Sequence, residues 1–293
     1  MRRRRSLAVV FFALTLAVLP SCTWRSVSNS MPWSGSRPKV ALVLSGGVAR
    51  GFAHVGVIRV LERHKIPIDI IVGVDTGSLV AAVYADRKNA SELERVALAL
   101  EERDIFDYNF INPTQGFARG ERLEAFLARS LATQEIERLR MPFAAVAADL
   151  ETGAAVALKS GSIARAVRAS NALPGIFSPV THQGKLLADG CVADNMPVDV
   201  ARALGADLVI AVDVLDGKPA AQPNNIFETL VQSTFLMARH SAGGKLKSAD
   251  FVIRPKLESA GLMDFSRKKE LVALGMAAAE EAVPALRARI GIK

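Results

Sequence analysis

One stretch limits the fold more than any other: Ile70-Ile71-Val72-Gly73-Val74-Asp75-Thr76-Gly77-Ser78-Leu79-Val80. An apolar run of strand character ends at a glycine, turns within a few residues and continues as a helix toward Ala85. Small residues on both sides of one polar side chain permit a sharp strand-to-helix turn, which lifts that side chain to the top of a sheet. Such a nucleophile elbow commonly reads G-x-S-x-G. Here it reads Gly73-x-Asp75-x-Gly77. The elbow is present and its serine is not.

The surrounding pattern places this turn in an α/β framework. Lys39 to Leu44 is a continuous apolar run, as expected of a strand buried on both faces. It leads through Ser45-Gly46-Gly47-Val48-Ala49-Arg50-Gly51 into a helix ending near His64, with Val55, Ile58, Val60 and Leu61 on its inner side. Ile68 to Val72 is the next strand, and the β-α-β-α order gives a parallel sheet. Ser91 to Arg103 reads as one helix, Asp104 to Gly120 as a lid-like loop, and Glu121 to Leu131 as a helix. Phe143–Asp149 and Ala154–Leu158 are strands joined by the turn Glu151-Thr152-Gly153. Ser162 caps a helix to Ala169. A short strand from Lys185 to Ala188 delivers Asp189-Gly190. Then come a helix from Val198, a buried strand from Leu208, a helix over Ile226 to His240, a strand Phe251–Ile253 and a long helix from Ser266 to Arg289. At 293 residues, 50% hydrophobic and 6% aromatic, the chain supports one Ala/Val/Leu-packed domain over 39–293.

The amino terminus reads differently. Arg2 to Arg5 form a basic segment, and Leu7 to Leu19 an apolar one, so residues 1–21 are expected to be a secretory signal. The apolar part is short for a membrane span, which needs about 20 residues. Leu19-Pro20-Ser21-Cys22 resembles a bacterial lipobox, although Pro20 departs from it. That likeness implies lipidation of Cys22 and anchoring to a bacterial membrane at the cell envelope, on the outer membrane or periplasmic face. An ordinary signal peptide with an incidental cysteine is the alternative. Residues 22–38, rich in Ser, Pro and Arg, read as a flexible tether. Without the four leading arginines the charge of +8 falls to about +4, too mild to argue for nucleic acid. Cys191 is the second of two cysteines, which rules out a disulfide framework once Cys22 is modified. His54, His64, His182 and His240 lack metal-ligand spacing, so no metal and no cofactor are expected.

Four motifs in order carry a family resemblance. Ser45 to His54 is similar to a glycine-rich oxyanion loop with core G-G-G-x-R/K-G, and Gly73 to Ser78 stands where G-T-S-A-G-S is usual. Ala169-Ser170-Asn171-Ala172-Leu173-Pro174-Gly175-Ile176-Phe177 resembles A-S-x-x-x-P-G-x-F. Asp189-Gly190-Cys191, followed by Asn195-x-Pro197-Val198, falls at D-G-G/A. From Val40 to about Val214 the body resembles the bacterial patatin-like phospholipases. The resemblance implies a three-layer α/β/α fold with a mainly parallel central sheet. It also implies hydrolysis of phospholipid or another acyl-lipid by a Ser–Asp dyad, with neither histidine nor cofactor. Asp75 takes the nucleophile position, Asp189 is the dyad base, and Gly46, Gly47, Val48, Arg50 and Gly51 form the oxyanion loop.

Three residues depart from that pattern: Asp75 for serine, Val48 for the third loop glycine, and Cys191 for a small residue. A β-branched residue rarely takes φ > 0. If that loop position needs a positive φ, Val48 is expected to displace the N–H that should face the oxyanion, while Gly46 and Gly47 keep the hole from being abolished. Asp75 and Asp189 should face each other and share a proton. A carboxylate is a poor nucleophile toward an ester, and Asp189 has no proton to remove from it. The residues therefore leave several readings open. The chain is a catalytically impaired member that keeps a lipid-binding pocket, a slow hydrolase using the Asp75/Asp189 pair as general base, or an enzyme whose Asp75 attacks a different electrophile. A non-catalytic envelope scaffold is the reading from another class. Ser78 and His54 read as structural, and Arg50 as orienting the glycine loop.

Overall fold

The computed structural model describes residues 37–108, 116–217 and 222–292. The signal (1–21), nearly all of the tether (22–38) and the lipidation site Cys22 lie outside the described residues, as does part of the expected lid. In chain order the elements are β1 (Val40–Leu44), α1 (Phe52–Arg63), β2 (Ile70–Val74), α2 (Thr76–Arg87), α3 (Ala90–Ala99), α4 (Glu102–Ile105), β3 (Gly116–Ala118) and α5 (Glu121–Ser130). There follow β4 (Phe143–Asp149), β5 (Ala155–Leu158), α6 (Ile163–Ser170), β6 (Gly175–Phe177), β7 (Val180–His182), β8 (Lys185–Asp189) and α7 (Val198–Ala203). Last come β9 (Leu208–Val212), α8 (Ile226–Leu246), β10 (Phe251–Ile253) and α9 (Lys268–Ile290).

The main sheet runs β10-β9-β1-β2-β4-β8-β7, with β5 also on β4, and helices cover both faces. Its β10, β9, β1, β2 and β4 strands are parallel. The apolar runs of β1, β2 and β9 are wholly buried, as a sheet covered on both sides requires. β3 and β6 pair separately as a small second sheet.

Register on β4 is what assembles the site. β2 pairs with its first part, Ile71 to Val74 against Phe143 to Val146. β8 pairs antiparallel with its last part, placing Asp189 opposite Ala147. β5 pairs with Ala145 to Ala148 and so overlaps both stretches. It must therefore occupy the other edge, leaving β8 to continue the edge where β2 ends. The residue after Val74 and the last residue of β8 consequently meet at one level of the sheet.

Several boundaries differ from expectation. Leu100 leaves the helical conformation (ψ 121°), and Glu101 and Asp104 form a capping box, so the helix expected through Arg103 is two helices. The expected loop after it holds α4 and β3. α8 runs to Leu246, through Gly243 and Gly244. β7 forms a hairpin with β8 around Gln183-Gly184, both at positive φ. The Ser162 cap forms as expected, its Oγ accepting from the Arg165 N–H.

Candidate active site

The elbow forms because β2 ends among residues too close for side chains. A Cβ on Gly73 would overlap the Gly77 carbonyl, and one on Gly77 would overlap Leu44 O. Between them Asp75 takes φ 49°, ψ −129° and stands at the N-terminus of α2. A non-glycine residue holds such a backbone only where its surroundings fix it. Asp75 N–H donates to Ser170 Oγ at 3.1 Å, and Ser170 donates in turn to Val146 O at 2.6 Å. The Asp75 carbonyl accepts from Ser78 Oγ at 2.6 Å and Asn171 Nδ2 at 2.8 Å. Ser78 is thus spent on the turn.

The glycine loop faces this elbow. Asp75 Oδ2 accepts from the backbone N–H of Gly47 at 2.8 Å and of Val48 at 3.0 Å, with Thr76 Oγ1 at 3.3 Å. The structure corrects the expectation for Val48. It adopts φ 47° despite its branched Cβ, and its N–H stays aimed at the elbow. The left-handed backbone costs such a residue about 1–2 kcal/mol.

The remaining loop residues hold the loop in place. Gly46 N–H donates to Asn195 Oδ1 at 2.7 Å. The Arg50 guanidinium donates from Nε and Nη2 to Ala260 O at 3.0 and 2.9 Å, and its N–H goes to Gly47 O. Gly51 packs on Thr76, where an added Cβ would come within 2.7 Å of the Thr76 Cβ. His54, fully buried, donates from Nε2 to Ser45 O at 2.8 Å, and burial holds its pKa down at about 4.

Asp189 closes the site from β8. Its Oδ1 accepts from Cys191 N–H at 2.8 Å, while its Oδ2 is buried with no partner among the described residues. One ligating oxygen from each of Asp75 and Asp189, with Cys191 Sγ, all lie within 4.8 Å of one another. Burial raises the Asp75 carboxyl against the pull of the Val48 and Gly47 N–H groups. Burial, then the charge of Asp75, pushes Asp189 well above the usual carboxylate range. The Cys191 thiol is pushed up by burial and by both carboxylates. Two acidic groups so placed do not both ionise readily, and Asp189 bears the larger upward shift.

A narrow apolar cleft opens onto Asp75, its interior space only about 20 Å³. Leu79, Phe106, Leu173, Phe177, Val231 and Met263 make its wall apolar. Phe106 stacks on Phe177 and on Tyr108, ring centroids 5.3 Å apart in both pairs. Such a lining favours apolar over polar groups at the mouth of the elbow.

A strand-to-helix elbow facing a backbone N–H pair, with a second carboxylate behind it, is the layout of acyl-transfer hydrolases. The chain belongs to the patatin-like phospholipase family, whose sequence profile matches residues 42–202, more than half its length. It is 36% identical over 222 residues to an uncharacterized NTE family protein of Mycobacterium bovis, covering 72% of this chain and 61% of that one. It is 35% identical over 183 residues to mouse patatin-like phospholipase domain-containing protein 6. That match takes in 60% of this chain but 13% of the mouse protein. Among solved structures, VipD from Legionella pneumophila shares the fold, with TM-score 0.58 and 16% identity over 86% of this chain and 67% of VipD.

Sequence reasoning gave no role to Ser170, Asn171 or Asn195, which fix the elbow and the glycine loop. Their signal lay in the motif segments around Pro174 and Pro197, but the bonds they make cross 95, 96 and 149 residues of chain.

Proposed function

We propose that this chain is a lipid acyl hydrolase relative whose hydrolytic site is held shut by its own elbow carboxylate, and that it binds an acyl-lipid without turning it over efficiently. The observation that carries this reading is the position of Asp75 Oδ2 on the Gly47 and Val48 N–H groups. In an acyl hydrolase that pair must receive the substrate oxygen as negative charge develops on it, a contribution of about 2.7–4 kcal/mol per donor in subtilisin. A resident carboxylate competes for the same donors and repels an oxyanion. It also brings no hydroxyl for Asp189 to activate. The apolar lining beside Asp75 and the family's phospholipase character support an acyl chain as ligand, admitted as that narrow cleft widens.

One observation favours a second reading. The unpartnered Asp189 Oδ2 beside Asp75 could accept a proton from water, making the pair a general base, a role worth typically 10²–10⁴-fold. Titrating the full chain with a fluorescent fatty-acyl probe, competed by lysophospholipid, separates the two. Saturable, competable binding with no fatty acid released over hours is the expected result. Absence of saturable binding would sink the pocket, and steady turnover that Asp189→Asn abolishes would move the assignment to the general base.

A further inference from the structure

Two of the three departures from the family motifs, Asp75 and Cys191, are far apart in sequence and adjacent in space. Each adds a metal-ligating side chain beside the Asp189 that the motif retains. All three are buried, with exposures of 6% for Asp75, 0% for Asp189 and 1% for Cys191. The charges acting on Asp189 and Cys191 are those of carboxylates, not of any lysine or arginine. The cluster is therefore rich in acceptors and short of positive charge.

From this geometry we infer that Asp75, Asp189 and Cys191 form a binding site for one borderline divalent cation, of which Zn²⁺ is the type. The independent sign of a ligand is Asp189 Oδ2, fully buried and with no partner among the described residues. A buried carboxylate oxygen without a donor is costly, and a cation supplies what the fold leaves out. The donors already lie within 4.8 Å of one another, and bonds of about 2.0–2.3 Å to a shared ion need only small side-chain rotations. Asn195 Oδ1, 3.1 Å from Cys191 Sγ, borders the same space. Gly46 is the wall of the cluster, since a Cβ there would come within 2.8 Å of the Asp75 Cβ and 3.0 Å of Asn195 Oδ1.

The donor set selects the ion. Two carboxylates alone would suit Mg²⁺ or Ca²⁺, which take oxygen ligands in larger numbers. A thiolate beside them shifts preference to Zn²⁺, Fe²⁺ or Co²⁺. Coordination displaces the thiol proton of Cys191 and any proton on the ligating carboxyls, which leave to solvent. The Gly47 and Val48 N–H groups remain on Asp75 Oδ2 and orient that carboxylate, as outer partners of metal ligands do.

Co²⁺ reports a thiolate ligand directly, through a charge-transfer band in the near ultraviolet. The test uses the full chain carrying Cys22→Ser, which leaves Cys191 as the sole thiol. Titration should give that band at one Co²⁺ per chain, and Zn²⁺ should bleach it. Cys191→Ala should remove the band, and Asp75→Ser should weaken binding at least about tenfold, the scale on which even outer partners act. Circular dichroism checks that each variant folds, and Cys191→Ser stands in if Cys191→Ala does not. A folded Cys22→Ser chain with no charge-transfer band overturns the site. So does a band that survives Cys191→Ala, or an affinity indifferent to Asp75→Ser.

Discussion

Helix α1 and the loop that leads into it are gripped by close backbone approach at two places, and the two are built to opposite ends. Along its length α1 crosses α9 at a pair of glycines. A Cβ on Gly56 would overlap Val272 O, and one on Gly275 would overlap Ala53 O. That contact is apolar and unstrained, flanked by buried Val55, Leu271 and Ala279. Just upstream, the loop meets the elbow, again around a glycine, Gly46. There two non-glycine residues, Val48 and Asp75, hold positive φ, two carboxyls sit side by side, and one buried oxygen lacks a donor among the described residues. Two strained backbones and an unpartnered carboxylate oxygen thus meet at the site, and the crossing helices are part of the frame that supports them.

The contrast can be broken at the frame first. Gly275→Ala drives a methyl into backbone that no rotamer change can move, so it should cost more than about 3 kcal/mol in urea unfolding. A loss under about 1 kcal/mol would mean the crossing is looser than drawn.

Acid should act on the junction between the two regions. His54 is buried neutral with a pKa near 4, against about 6.5 in an unfolded chain. The unfolded state therefore binds the extra proton between those values. Its share of stability is intact above about pH 6.5 and is lost as pH falls toward 4, about 3 kcal/mol in all. Unfolding the parent and His54→Asn across that window isolates the share. Equal pH slopes in the two chains would contradict it.

The smallest effect belongs to the site. Val48→Gly relieves left-handed strain of about 1–2 kcal/mol but loosens the unfolded chain and removes a nearly buried side chain. The opposing changes should leave stability within about 1 kcal/mol of the parent, measured by the same unfolding. A large loss would show that Val48 is a packing residue first.

Much of this frame is legible in the sequence because its buried strands are unbroken apolar runs. The apolar runs of β1, β2 and β9 and the glycine spacing of the elbow follow from local chemistry alone. Three-residue strands such as β3, β6 and β7 have too few residues to show a period. The split at Leu100 depends on a capping pair, and the extension of α8 runs past two glycines that ordinarily end a helix. At the site, Asp75 and Asp189 stand out by motif. What the loop donors do does not, because it depends on Val48 accepting a conformation its side chain resists. Arg50 is tied to Ala260, 210 residues away, and no local pattern announces that bond. The meeting of Cys191 with both aspartates is equally hidden, since it rests on β8 taking over the edge of β4 that β2 leaves.

The central claim is that Asp75 closes a pocket and oxyanion pair that are otherwise in working order. Hydrolysis of short- and long-chain p-nitrophenyl esters by the full chain and by Asp75→Ser tests it most directly. The parent should stay at background. Asp75→Ser should hydrolyse the esters, Val48→Gly should add little because the Val48 N–H already faces the elbow, and Asp189→Asn in the same background should abolish the activity. Turnover by the parent at a rate near that of Asp75→Ser would contradict the claim, as would a silent Asp75→Ser chain that still binds the acyl probe.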